Sequence, residues 1–154
     1  MITSADILNA KILIVDDKET NVLLLAGILR VAGYTSVDSA TDPAKVYELH
    51  RKNRYALILL DLEMPRMTGF EVMERLKELE TDDCLPVIVI TAHHDKRMLA
   101  LAAGARDFLS KPFDLAELRV RVDTMLEGRL LHLSAKKRIE VLQEQVRKLK
   151  FDGN

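Results

Sequence analysis

Two stretches of this chain, Tyr55–Leu60 and Pro86–Ile90, are apolar at every position. A strand with one wet face alternates apolar and polar residues, whereas a strand that is apolar throughout is covered on both faces. Such strands belong in a parallel sheet with helices packed above and below it. The rest of the chain agrees. Lys11–Val15 is a short apolar run of β-branched character, Thr35–Ser39 reads as a weaker second strand, and Asp107–Leu109 as a short edge strand. Helical patterns lie between them. Thr20–Ala32 carries Val22, Leu25, Ile28 and Leu29 on one face and stops at Gly33; Asp42-Pro43 opens a helix running to about Asn53. Gly69–Glu80 places Phe70, Met73, Leu76 and Lys77 as a core stripe, Lys96–Ala103 ends at Gly104, and Asp114 caps a last helix beginning near Leu115. Strand and helix alternate five times, which predicts an α/β fold with a doubly wound, five-stranded parallel sheet and right-handed crossovers.

In open sheets of this kind ligands sit beyond the carboxyl ends of the strands. That is where the polar residues fall. Asp16-Asp17 end the first run, Asp61 the third, Thr91 the fourth, and Lys111-Pro112 follow the fifth, while the amino ends carry nothing comparable. Any one of these has an ordinary reading: Asp16 or Asp17 as a helix cap, Thr91 as a strand-end residue bonded to backbone, Lys111 as a surface lysine. Together they describe a site. Three converging carboxylates repel and raise one another's pKa. A divalent cation relieves the repulsion, and Mg²⁺ suits one or two carboxylates plus water and phosphate oxygens. One carboxylate can then attack phosphorus to give an aspartyl phosphate. Lys111 supplies an ammonium, Thr91 a hydroxyl and the Ala92 backbone an N–H to neutralise charge on the transferring group. A cis Lys111-Pro112 bond would turn the amine back toward the acids. Pro65 and Gly69 order the loop after Asp61, whose backbone carbonyls, Glu63's in particular, can add a metal ligand while the Glu63 side chain points outward.

Composition narrows the function class. With 48% hydrophobic and 31% charged residues the chain is expected to be soluble and globular. No apolar run approaches the roughly 18 residues of a membrane span. Met1–Ala10 has neither a basic nor a long apolar region, so no secretion signal is expected. A single cysteine, Cys84, precludes an internal disulfide and fits a reducing cytoplasm; it reads as an unreactive thiol. Residues 129–154 hold seven Lys/Arg and three Asp/Glu, a balance of +4, so the rest of a chain with net charge −1 carries −5. An acidic body is not expected to bind nucleic acid, and the basic tail reads as a solvated helix face. His93-His94 lack a third ligand for zinc, and His50 and His132 sit on helical stretches without a special role. Gly27 and Gly33 do not form a dinucleotide fingerprint.

The last helical pattern does not stop at Gly128. Ile139, Leu142, Val146 and Leu149 recur at steps of 3, 4 and 3, a heptad seam. Gly128 and Ser134 weaken the helix upstream of it. The expectation is pairing with a second copy, the alternative a frayed helix on its own domain. The domain reading is an N-terminal extension over 1–10, one domain over 11–127, and a helical linker over 128–154 leading toward an absent output domain.

Residues 11–127 resemble the receiver domain of two-component response regulators. The resemblance rests on Ile12-Leu13-Ile14-Val15-Asp16-Asp17, Leu60-Asp61-Leu62-Glu63-Met64-Pro65 with Gly69, Thr91-Ala92, Gly104-Ala105 and Lys111-Pro112-Phe113, in order and at the family's spacing. It implies a flavodoxin-like sheet of order 2-1-3-4-5, an arrangement the general rule for such folds already illustrates with a member of this family. It implies that Asp61 accepts the phosphoryl group from a sensor histidine kinase, a phosphotransfer protein or a small phosphodonor. Asp17, Asp61 and the Glu63 carbonyl would bind Mg²⁺ directly, with Asp16 acting largely through water. Lys111 would pair with the phosphoryl group, Thr91 would move to hydrogen-bond it, and Phe108 would swing inward. The surface altered would be that of the fourth helix, fifth strand and fifth helix, counted from the helix at Thr20. Asp107 and Arg121 would form either an intermolecular ion pair at a dimer interface or an exposed pair of small consequence. The chain would thus be a switch rather than an enzyme. The alternatives are a phosphohydrolase with an aspartyl-phosphate intermediate, in which Glu63 is the general acid/base, and a pure dimerisation module.

Overall fold

The computed structural model describes residues 1–79 and 85–152. Cys84 and the end of the expected Gly69–Glu80 helix lie outside the described residues. The strands are β1 (Lys11–Val15), β2 (Ser36–Ala40), β3 (Leu57–Leu60), β4 (Val87–Thr91) and β5 (Asp107–Ser110), and the helices α1 (Ser4–Asn9), α2 (Glu19–Val31), α3 (Val46–Asn53), α4 (Gly69–Leu76), α5 (Arg97–Ala102) and α6 (Leu115–Asp152). All strand pairs are parallel, in the order β2-β1-β3-β4-β5. The doubly wound sheet and the long C-terminal helix are as expected.

Alternation along the strands builds two cores. Leu13, Val15, Ile58, Leu60, Val87, Val89 and Phe108 face one side, against Val46, Val72, Met73, Leu76 and Ala100 of α3, α4 and α5. Ile12, Ile14, Leu57, Leu59, Ile88, Ile90 and Leu109 face the other, against α2 and α6. Burying each such aliphatic side chain contributes roughly 1.5–3 kcal/mol, so the strand register is strongly specified.

Three details differ from expectation. The Asp42-Pro43 signal opens a 3₁₀ turn, Pro43–Lys45, before α3; the Asp42 carboxylate caps it by accepting from the Ala44 N–H at 3.0 Å. The apolar stripe of α4 is Val72, Met73 and Leu76, and Lys77 is exposed, because the stripe shifts by one position to include Val72. Residues 4–9 form a helix rather than a bare extension. Its start is a capping box between Thr3 and Asp6, and Ile7 and Leu8 pack on the α2/α6 core.

Candidate functional site

Backbone hydrogen bonds carry the sheet one step past its strand ends and fix the polar residues there. The Asp16 N–H donates to the Ala40 carbonyl at 3.2 Å, the Asp61 N–H to Val15 at 3.0 Å, and the Lys111 N–H to Thr91 at 2.9 Å. Asp16, Asp17, Asp61, Thr91 and Lys111 therefore share one rim. Each of the three acids offers a carboxylate oxygen, all within 4.8 Å of one another. Among the described residues no other group of three or more potential metal-binding side chains forms.

The acids are not equivalent. Asp16 is buried and well supplied: it accepts from the Lys18 N–H (3.0 Å), the Asn21 side-chain amide (3.1 Å) and the Lys111 ammonium (3.1 Å). Asp61 accepts from the Glu63 N–H at 3.3 Å and lies 3.7 Å from Lys111 Nζ. Burial pushes its carboxyl above the ordinary carboxylate range; Lys111 opposes this and neighbouring Asp16 adds to it. Asp17 is the exception, since its Oδ1 is buried without a hydrogen-bond partner. A buried acceptor without a donor costs about 1–3 kcal/mol, more when charged. A hard cation would satisfy that oxygen and relieve the repulsion among the acids, so the donor set fits Mg²⁺.

The loop after Asp61 is held by close approach. A Cβ on Gly69 would sit 2.7 Å from the Asp61 carbonyl oxygen and 2.9 Å from the Leu62 Cα, both backbone atoms. The Gly69 N–H donates to the Leu62 carbonyl, so the loop folds back onto the start of α4. The Glu63 side chain turns outward and pairs with Lys96, which holds its carboxyl below the usual range. Thr91 is fully buried, and its hydroxyl oxygen accepts from the His93 N–H at 3.3 Å. Phe108 is buried in the core with Val87, Val89, Ala100 and Ala105. The Lys111-Pro112 bond is cis. His93 and His94 are exposed and join no metal group. Asp107 and Arg121 pair within the chain at 2.6 Å, with Glu117 also on the guanidinium.

Asn21 and Lys96 were not singled out from sequence. A surface amide and a surface lysine carry no pattern of their own; only the fold brings them to Asp16 and Glu63.

The family model for the response regulator receiver domain matches residues 12–123. The chain belongs to that family. Among curated relatives, the receiver is 39% identical over 126 residues to the response regulator PleD of Caulobacter vibrioides, covering 80% of this chain and 28% of PleD. It is 40% identical over 118 residues to the response regulator MprA of a Mycobacterium species, covering 75% of this chain and 50% of MprA. The chain thus spans between about a quarter and a half of the length of these relatives. Among solved structures, the receiver domain of the sensor histidine kinase PA1611 from Pseudomonas aeruginosa superimposes with a TM-score of 0.70 at 29% identity, covering 77% of this chain and 98% of that one; it carries a magnesium ion coordinated in its active-site cleft. NtrX from Brucella abortus gives a TM-score of 0.74 at 28% identity, covering 84% of this chain and 29% of NtrX.

Proposed function

We propose that this receiver is a phosphorylation switch in which Asp61 accepts a phosphoryl group in the presence of Mg²⁺. The observation that carries the reading is the rim itself: three acids within reach of one ion, one with an orphaned oxygen, and Lys111 within 4 Å of two of them. A carboxylate oxygen of Asp61 forms a bond to phosphorus as the bond from phosphorus to the donor breaks. When the donor is a phosphohistidine of a kinase or phosphotransfer protein, the departing imidazole nitrogen keeps the electron pair and takes up a proton. Asp61 becomes an acyl phosphate. Lys111 follows the charge from the acids onto the phosphoryl oxygens, and Thr91 turns its hydroxyl toward them. Asp17, Asp61 and the Glu63 carbonyl would hold the ion, with Asp16 acting through water, and bound there it would supply charge neutralisation.

The signal leaves through Thr91, at the end of β4, and Phe108, on the adjacent strand β5, toward the surface of α5, β5 and the start of α6. There the Asp107–Arg121–Glu117 cluster is the contact that such a shift would rearrange. The stretch of α6 from Leu133 to Phe151, exposed at every residue, pairs with a second copy. No helix among the described residues is long and apolar enough to cross a membrane; with a single cysteine, this supports work in the cytoplasm. The Glu63 carboxylate, engaged by Lys96, favours the switch over a phosphohydrolase that would use it as acid/base.

The test is intact mass after incubation with Mg²⁺ and acetyl phosphate. Wild type should gain about 80 Da, the mass of one phosphoryl group, and neither Asp61→Asn nor metal-chelated wild type should. Turnover of a phosphate ester without a stable adduct would favour the hydrolase instead.

A further inference from the structure

We infer that the cleft between the C-terminal ends of α4 and α5 is a second ligand site, for a small amphiphilic anion: an apolar body bearing one acidic headgroup. The site stands apart from the chemistry of Asp61 and does not rest on it.

The cleft has a volume of about 460 Å³. Packed interiors leave few voids larger than a water molecule, whereas small-molecule sites run from about 300 to 1,000 Å³. It lies at the amino ends of the strands. Val87, on its floor, is the first residue of β4, and Ala105 and Arg106 immediately precede β5. Thr91 and Lys111 stand past the opposite ends, so the cleft and the acidic rim are separated by a strand length, about 13 Å at 3.3 Å per residue.

The lining has two parts. Met73 and Leu76 of α4, Val87 of β4, Leu101 of α5 and Ala105 give an apolar floor. All but Leu101 are buried members of one core cluster, so packing holds the floor in place. The mouth carries Lys77 and Arg106, both exposed, and among the described residues that line the cleft there is no acid. Lys77 pairs with Glu74 at 3.5 Å, three residues back on α4 and open to solvent. An exposed ion pair of that kind is weak in water and yields readily to a competing anion. Gly104 keeps the mouth clear. Its φ of +115° is left-handed backbone suited to glycine, and a Cβ there would lie 3.5 Å from Lys77 Cε. The lysine stem therefore lies against bare backbone, where a side chain would crowd it.

This combination selects the occupant. A neutral apolar molecule would fill the floor and gain nothing from the two charges. A small inorganic anion would meet the charges and leave the floor wet. A molecule with both parts uses both, the body by removing apolar surface from water and the headgroup by charge-assisted hydrogen bonds from the ammonium and guanidinium.

The test takes 1-anilinonaphthalene-8-sulfonate as the probe, against N-phenyl-1-naphthylamine, which has the same body without the sulfonate. In methyl-labelled protein, saturating probe should shift the signals of Leu76, Leu85, Val87 and Leu101 together. In fluorescence titrations the double variant Lys77→Gln, Arg106→Gln should weaken sulfonate binding about tenfold and leave binding of the neutral body unchanged. Both replaced side chains are exposed, so the fold is kept. Ala103→Leu, whose longer side chain enters the cleft, should abolish the methyl shifts with the thermal transition unchanged. No shifts, or shifts confined to the exposed Ile139, Leu142, Val146 and Leu149 of α6, would overturn the site. Sulfonate binding indifferent to the double variant would overturn the anionic class. Phosphoryl uptake by Asp61→Asn and wild type is measured separately, so failure of the cleft and failure of the switch reading are distinguishable.

Discussion

The two rims of the sheet handle buried polar groups in opposite ways. At the amino-end rim the buried His50 ring and the Tyr34 and Tyr55 hydroxyls have partners. The His50 ring is fully buried, and its Nδ1 accepts from the Tyr55 N–H at 3.1 Å. The Tyr55 hydroxyl donates to Asp38 at 2.8 Å, and that of Tyr34 to Asp123 on α6. The Thr35 N–H donates to the Leu8 carbonyl at 2.9 Å, which ties α1 beneath β2. At the carboxyl-end rim, Asp17 keeps an unpartnered buried oxygen, and burial pushes the Asp61 carboxyl above its ordinary range. The first rim stabilises; the second stores unmet demand for positive charge. That difference separates the part of the molecule that maintains the fold from the part that waits for an ion and a phosphoryl group.

The largest expected effect breaks the carboxyl-end rim alone. Lys111→Ala removes the ammonium between Asp16 and Asp61, and the rate of phosphoryl uptake from acetyl phosphate, followed by intact mass, should fall about 10²-fold. Next comes Gly69→Ala, whose methyl group would collide with the backbone of Asp61 and Leu62. It should lower unfolding free energy by about 1–3 kcal/mol in urea titrations and slow uptake as well, because Asp61 moves with its backbone. Tyr55→Phe is the counterpart on the amino-end rim. It should cost about 1 kcal/mol and leave uptake unchanged; a change in uptake would mean the two rims are not independent.

The smallest effects are in pH. The folded-state pKa of Asp61 lies above its unfolded value of 3.8, so its contribution is present in full below that value and is lost as pH rises through the folded pKa. Metal-free wild type should therefore lose stability relative to Asp61→Asn as pH rises out of the acid range, and Mg²⁺ should close the gap. Tyr34 and Tyr55 act at the other extreme. Burial, with the carboxylates of Asp123 and Asp38, raises both phenols above their ordinary 10.0. Their contribution is intact below about pH 10 and lost above it, so the double replacement by Phe should flatten the alkaline limb of the stability curve.

Most of the fold was legible because its signals are local. Leu57–Leu60 and Val87–Thr91 announce buried strands by having no polar face, and strand ends marked by Asp16, Asp61, Thr91 and Lys111 point to a common rim once the sheet is known to be parallel. What was not legible depends on tertiary neighbours. Residues 4–9 are too short for a period to show, and α1 is held by packing of Ile7 and Leu8 and by Thr35 rather than by propensity. His50 looked ordinary on its helix, and only burial beside Tyr55 turns its ring nitrogen into the acceptor for a strand N–H. Lys77 sits at a spacing that fits the α4 stripe, yet Val72 takes the inward position and leaves the lysine in solvent. The pairing of Glu63 with Lys96 joins two loops from different strand ends and has no signature in either.

The most direct test is to locate the label. Protein treated with Mg²⁺ and acetyl phosphate would be reduced with borohydride, which converts an acyl phosphate to an alcohol, and then digested and sequenced by tandem mass spectrometry. The account predicts reduction at residue 61 and nowhere else, dependent on magnesium and reduced in Asp17→Asn. Reduction at Asp16 or Asp17 with Asp61 intact, or equal labelling after the metal is chelated, would contradict it.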